Sequence, residues 1–459
     1  MSITQHHLTR VLGVICYVTS TLYLIEAFFP SNILKITYSI LCALLLFSSI
    51  FYLTTINRLI VTLLLTVGTI GFILESGGFY VATLAFGENV NLLSLFLLIP
   101  IIGTFMSTAG YLSALKDQVQ SRQKKAGQHP YRLSFILTAT MSTLLNFGSM
   151  AIVKRIADES FTSYRNQALT LTIMRAFATS MLWSPYFVNV GLVLVLFDVA
   201  WFSIGGYGLL LATIYIAICI IMFKQIHFAD DPVIETKTAD QIPTNSSSIK
   251  AFLAFCFVLI SFSFLLDYLL PVKMLTVVTM LAVVLPLFWA IFTKILRPFI
   301  HDVVEQVESS FIRLKNELAI FISAGYLGMA MALTDVGSYL SAMLFQVSFG
   351  SVFIISLLLV ILATLLAQIG IHPVIIVIGI GSALSPDQFG VSPEYLALLI
   401  LIAWTVSTQI SPFSGQVLMA AKLMNQPARV IIKQNVWFIS IIGVTLTTCI
   451  YLLHLLNWL

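Results

Sequence analysis

Ser411-Pro412-Phe413-Ser414-Gly415 cuts an apolar run that extends from 393 to 424, and Ser184-Pro185-Tyr186 cuts another from 167 to 199. Both runs are too long for one bilayer crossing, which takes about 20 helical residues. Proline has no amide donor and clashes with the carbonyl four residues earlier, so it opens a helix. The opened carbonyls can hold a cation, and the new helix N-terminus can hold an anion. A single proline of this kind is most often a kink. Two at matching places in one chain point to a site.

The rest of the chain is built for a membrane. Of 459 residues, 59% are hydrophobic and only 9% are charged, and mean hydropathy is +1.01. A soluble chain of this length needs far more charge to cover its surface. Other apolar spans lie near 11–29, 33–53, 58–76, 91–115, 132–153, 201–223, 250–270, 272–293, 316–333, 351–384 and 432–457. The first carries no small-residue cleavage site and reads as a retained span. Cys16, Cys42, Cys219, Cys256 and Cys449 all fall in apolar runs without a Cys-x-x-Cys pair, so inert buried thiols are expected.

Basic residues orient the spans through the positive-inside rule. With the N-terminus inside, Arg58 and the loop holding Lys116, Arg122, Lys124, Lys125 and Arg132 also fall inside. If 132–153 crossed, Lys154, Arg155 and Arg165 would emerge outside. If it dips in and returns, they stay inside. A second hairpin over 351–384, opening from outside, keeps Lys422, Arg429 and Lys433 inside. Of 23 basic residues, all but Lys35, Lys273 and Arg175 then lie on the cytoplasmic side. The expected fold is therefore all-α and integral to the membrane, with about eleven transmembrane helices and two re-entrant hairpins. Non-helical backbone survives at membrane depth only where protein covers it or it lines a cavity, so the hairpins mark a functional centre.

The halves repeat. Ala109-Gly110-Tyr111-Leu112 recurs as Ala324-Gly325-Tyr326-Leu327, Ala139-Thr140 as Ala363-Thr364, and Ser184-Pro185-Tyr186 as Ser411-Pro412-Phe413. The loop after the first Ala-Gly-Tyr-Leu carries five Lys or Arg, whereas 335–350 carries none, so the repeats are expected to be inverted. The chain divides into scaffold helices (1–90), a first repeat (91–223), a polar cytoplasmic linker (224–249), scaffold helices with a surface-lying amphipathic helix over 300–315 (250–315), and a second repeat (316–459). Inverted repeats with discontinuous helices are the recurring plan of secondary transporters.

This order of spans, inward hairpin, broken helix, outward hairpin and second broken helix resembles the ion transporter superfamily. Within it, the divalent anion/sodium symporter fold of dicarboxylate and citrate carriers is most similar. The resemblance covers nearly the whole chain as topology. That family carries Ser-Asn-Thr at each hairpin tip, where this chain reads Ser142-Thr143-Leu144-Leu145-Asn146 and Gln368-Ile369-Gly370-Ile371-His372-Pro373. The resemblance implies one hairpin-bearing domain moving against a scaffold, with Na⁺ or H⁺ as the coupling ion.

Residues expected at the substrate are Ser142, Thr143 and Asn146 of one tip, Gln368 and His372 of the other, and Ser184, Pro185, Asn189, Ser411, Pro412, Ser414 and Gln416 of the breaks. Amides and hydroxyls read carboxylate, hydroxyl or amide groups without the full cost of a buried charge. Interhelical hydrogen bonding is the plainer reading of the same side chains. Arg175 is the one basic residue placed well inside the bilayer, and it could attract an anion or snorkel to the inner surface. No second ligand stands at helical spacing from His372, so no metal site and no cofactor are expected.

A secondary carrier for a small polar organic solute, an anion such as a carboxylate, fits these features. It would sit as a multi-pass protein in a bacterial cytoplasmic (inner) membrane, N-terminus in the cytoplasm. Expected partners are its small-molecule substrate, membrane lipid and a second copy in a homodimer; nucleic acid is not among them. A permease subunit that needs a partner protein is the second reading. A membrane enzyme acting on lipid-linked substrates would need a cluster of acids, His or Arg on one face, and none is evident.

Overall fold

The structure, a computed structural model, describes residues 3–75, 77–117, 130–161, 163–223, 233–235, 249–334, 336–371 and 373–459. The chain is an all-α integral membrane protein. Its first helices are α1 (Ile3–Phe28), α2 (Asn32–Ile50), α3 (Thr55–Leu74), α4 (Phe79–Ala85) and α5 (Val90–Thr108), with α6 described over 111–117. Then come α7 (Pro130–Leu145), α8 (Gly148–Ser160), α9 (Asn166–Ser180), α10 (Val188–Leu196) and α11 (Trp201–Phe223). The second half holds α12 (Ile249–Leu269), α13 (Met274–Phe292), α14 (Leu296–Ala332), α15 (Val336–Val347), α16 (Val352–Gln368) and α17 (Pro373–Ala383). It ends with α18 (Pro386–Phe389), α19 (Pro393–Thr408), α20 (Gly415–Met424) and α21 (Ala428–Leu455).

Among the described residues, eight helical segments are long and apolar enough to cross a membrane: α1, α2, α3, the α4–α5 stretch, α11, α12, α13 and α21. Ser341–Val347 and Val352–Gln368, bent by 108°, pass the same test as a pair. The other crossings expected from the sequence fall on α14 and on the two broken runs. The first hairpin is present as helix-turn-helix, α7 turning at Asn146–Phe147 into α8; at the second, α16 ends at Gln368 and the chain passes through left-handed Gly370 before α17 begins at Pro373.

Two compact units emerge, and each draws on both halves of the sequence. One comprises Met1–Thr108, Val258–Ala342 and Ile378–Ser385; the other comprises Ala109–Phe257, Met343–Val377 and Pro386–Leu459. In the first, α1 and α14 approach closely at Gly13, where an added Cβ would lie 2.3 Å from the Val307 carbonyl oxygen. Small residues allow such approach where lipid offers no hydrophobic drive to association. Polar side chains tie the same helices: Gln306 Nε2 donates to Tyr17 Oη at 3.0 Å, and Tyr17 Oη donates to the Leu97 carbonyl at 3.0 Å. The stretch 300–315 is not a separate surface helix. It runs without interruption into the apolar second half of α14, and its Phe311 and Ser310 are buried.

The two copies of Ala-Gly-Tyr-Leu differ in backbone. Gly110 is left-handed (φ 70°) at the step from α5 to α6, whereas Gly325 is helical inside α14. Of the polar linker 224–249, residues 233–235 form a strand that pairs antiparallel with Ser163–Arg165, and 224–232 and 236–248 lie outside the described residues.

Candidate functional site

The second unit gathers both hairpin tips and both broken helices. A single shift of 227 residues carries the start of α9 (Asn166) onto that of α19 (Pro393), α10 (Val188) onto α20 (Gly415), and α11 (Trp201) onto α21 (Ala428). A shift of 224 carries the left-handed tip Asn146 (φ 49°) onto the left-handed tip Gly370 (φ 101°). Left-handed backbone favours glycine and, after it, asparagine. The tip of the first hairpin uses asparagine, whose Oδ1 accepts from the Phe147 amide at 2.9 Å.

Each Ser-Pro serine performs one task at both sites. Ser184 Oγ donates to the Thr143 carbonyl at 3.0 Å, and Ser411 Oγ donates to the Ala367 carbonyl at 2.7 Å. Each Oγ also accepts from the amide two residues on, Tyr186 or Phe413, at 3.3 Å. The serine therefore holds the broken helix to the hairpin just before its tip and replaces part of the ladder that the following proline removes. Both side chains are fully buried. Ser142 Oγ meets Ser180 Oγ at 2.6 Å, which adds a second tie in the first half. Thr143 spends its hydroxyl on the Ala139 carbonyl at 3.3 Å.

The carbonyls freed by the breaks have side-chain donors. Asn189 Nδ2 donates to the Met181 carbonyl at 2.6 Å, and Trp201 Nε1 donates to that of Trp183 at 2.8 Å. In the second half, Ser414 donates to the Thr408 carbonyl and Gln368 to that of Ile410. Ser414 also caps α20 by accepting from the Val417 amide at 3.1 Å. A carbonyl oxygen carries two lone pairs, so such capping satisfies it while leaving one site for a ligand. Pro185 and Pro412 sit in the turns themselves. Gln416, fully buried, donates from Nε2 to the Met174 carbonyl of α9 at 2.8 Å, and its Oε1 has no hydrogen-bond partner among the described residues. His372 lies outside the described residues.

Arg175 lies on α9 and is 2% exposed. Its Nε donates to Asn435 Oδ1 of α21 at 2.9 Å, and its guanidinium lies 4.0 Å over the Phe438 ring. Cation–π contact of this kind offsets part of the cost of desolvation. Asn435 Nδ2 passes the connection on to the Gln409 carbonyl at 3.3 Å, and Tyr215 Oη donates to Gln409 Oε1 at 2.9 Å. Tyr215, Gln409, Asn435 and Ser180 were not singled out by sequence reasoning. The readable signal was the register: each is a polar residue in an apolar run, and Gln409 stands directly before Ile410-Ser411.

Together these features define a helical membrane protein whose two halves each bring a hairpin tip and a broken helix to one unit. The solved structure of the Alcanivorax borkumensis YdaH transporter, described as having an unusual topology, has a similar fold. It matches with a TM-score of 0.59 at 12% identity, over 79% of this chain and 85% of that one. No family model and no curated protein matches the sequence.

Proposed function

We propose that the chain is a secondary active transporter of a small polar organic solute, an organic anion such as a carboxylate, coupled to Na⁺ or H⁺ and working by alternating access. The observation that carries this reading is the pair of equivalent serine bonds, Ser184 to Thr143 and Ser411 to Ala367, which lock each broken helix to its own hairpin. Discontinuous helices in repeated halves are where secondary transporters hold substrate. The transporter fold of the structural neighbour supports the same reading. So does the distribution of basic residues, which favours inverted halves, a cytoplasmic N-terminus and, in bacteria, the inner membrane.

The element order also resembles the divalent anion/sodium symporter fold. The tips themselves lack Ser-Asn-Thr, so the chemistry of recognition rests on this chain's own amides, hydroxyls and Arg175. Uptake into proteoliposomes, measured over carboxylates, amino acids, sugars and nucleosides with and without Na⁺ and H⁺ gradients, tests the proposal. Gradient-dependent accumulation of one class is expected. Flux of none of them would refute it.

A further inference from the structure

Four polar residues of the hairpin-bearing unit have no polar counterparts. Under the shift of 227, Arg175 corresponds to Ile402, Tyr215 to Ile442, Gln409 to Leu182 and Asn435 to Gly208. All four apolar counterparts are buried, as are the four polar residues. The same helical frame is thus completed at the repeat-equivalent place, built from Ile402, Ile442, Leu182 and Gly208, without any of these groups. At Gly208 the helix packs straight onto the break, where an added Cβ would lie 2.4 Å from the Leu182 carbonyl oxygen. The fold therefore does not require a polar network at this place. It carries one on one side only.

That network is also short of negative charge. Among the described residues no carboxylate forms an ion pair with Arg175, and its Nη2 is buried without a hydrogen-bond partner. A guanidinium in a low-dielectric interior is costly unless a counter-charge and hydrogen-bond acceptors meet it. Asn435 and Phe438 supply one acceptor and a π-face, and neither supplies charge. Guanidinium also presents its donors in a fork that matches a carboxylate.

We infer that Arg175 is a fixed counter-charge that binds the carboxylate of a transported organic anion, with Asn435, Gln409 and Tyr215 as positioning residues that aim it. Recognition of the carboxylate is one-sided: Arg175 and the residues that aim it cluster at the Gln409–Ser414 break, and the equivalent place at the Met181–Phe187 break has no such group. The inference rests on the carrier reading for its physiological meaning, but anion binding can be measured by itself.

The full-length protein in detergent is titrated with acetate, succinate and benzoate, against chloride as control, and its thermal unfolding is followed. At least one carboxylate is expected to stabilise the wild type saturably. Arg175→Met, which removes the charge and keeps most of the volume, is expected to weaken that binding at least tenfold. Asn435→Asp places a carboxylate beside the guanidinium and is expected to weaken it at least tenfold while keeping the protein folded. If Arg175→Met does not fold, Asn435→Asp decides alone. The inference is overturned if none of the three carboxylates shifts the wild type, or if a folded variant retains wild-type affinity. Loss of binding in Asn435→Asp with no flux through the wild type would remove the carrier reading and keep the anion site. Unchanged flux of an uncharged solute through Asn435→Asp, with no carboxylate binding to the wild type, would do the reverse.

Discussion

Ser184 and Ser411 each satisfy a buried carbonyl of the neighbouring hairpin, so removing either hydroxyl leaves that carbonyl without a partner. An unsatisfied buried acceptor costs about 1–3 kcal/mol. Ser184→Ala and Ser411→Ala should each lower thermal stability in detergent by that order, and the two losses should be alike because the bonds are equivalent. A neutral outcome at either position would show that its serine does not hold the hairpin. At the tips, Asn146→Gly keeps the left-handed backbone and removes only the amide. Asn146→Gly and Gln368→Ala are expected to weaken substrate binding while leaving expression intact, as read by uptake at limiting solute. Normal transport in both would take the tips out of the site.

At the level of elements, close approach decides which glycines matter. Gly208 and Gly206 lie on the same helix, but a Cβ at Gly208 would strike the Leu182 carbonyl, whereas one at Gly206 meets nothing within 4 Å. Gly208→Ala should push α11 off the first break and cost about 1–3 kcal/mol. Gly206→Ala should be near neutral, and equal melting temperatures for the two variants would refute the packing argument. On the polar end of the first hairpin, Glu159 bonds Lys116 of α6 and Arg155 of its own helix. The Lys116 hydrogen bond, above all, holds the Glu159 carboxyl below its ordinary value. The stabilisation is therefore complete above the usual carboxylate range and is lost as pH falls through the lowered value. Both side chains are partly exposed, so the effect is at most about 1 kcal/mol. Melting temperature against pH should flatten in Glu159→Gln across that acidic range. Much of this level was legible beforehand. Pro185 and Pro412 announce the breaks, and the cluster of Lys154, Arg155 and Arg165 makes 132–153 turn back. What stayed hidden was long-range: Arg175 meets Asn435 across 260 positions of sequence, which no local pattern encodes. The continuity of α14 was hidden too, because a charged amphipathic stretch and an apolar one share the same helical period.

For the whole molecule, the contrast between 116–132, rich in Lys and Arg, and 335–350, which has neither, gives the sharpest test of inversion. Single cysteines at Lys116 and Gln346 should label from opposite sides of the membrane with an impermeant maleimide. Labelling from one side would remove the inverted arrangement and leave the repeated element order standing. The units also cut across the halves, since each contains segments from both. Sequence order alone places a repeat boundary in the linker, and only the packed chain shows helices of both repeats sorted into the same two bodies.

The unlike hairpin tips bear on turnover. Asn146 pins the following amide through its own side chain, while Gly370 has no side chain with which to do so. In a carrier whose two gates are these hairpins, the glycine hinge has the lower torsional barrier and the asparagine hinge the higher one. Microscopic reversibility forbids that inequality from producing a gradient. In such a carrier the consequence would be kinetic: the reorientation that needs the first hairpin to yield would be the slower of the two.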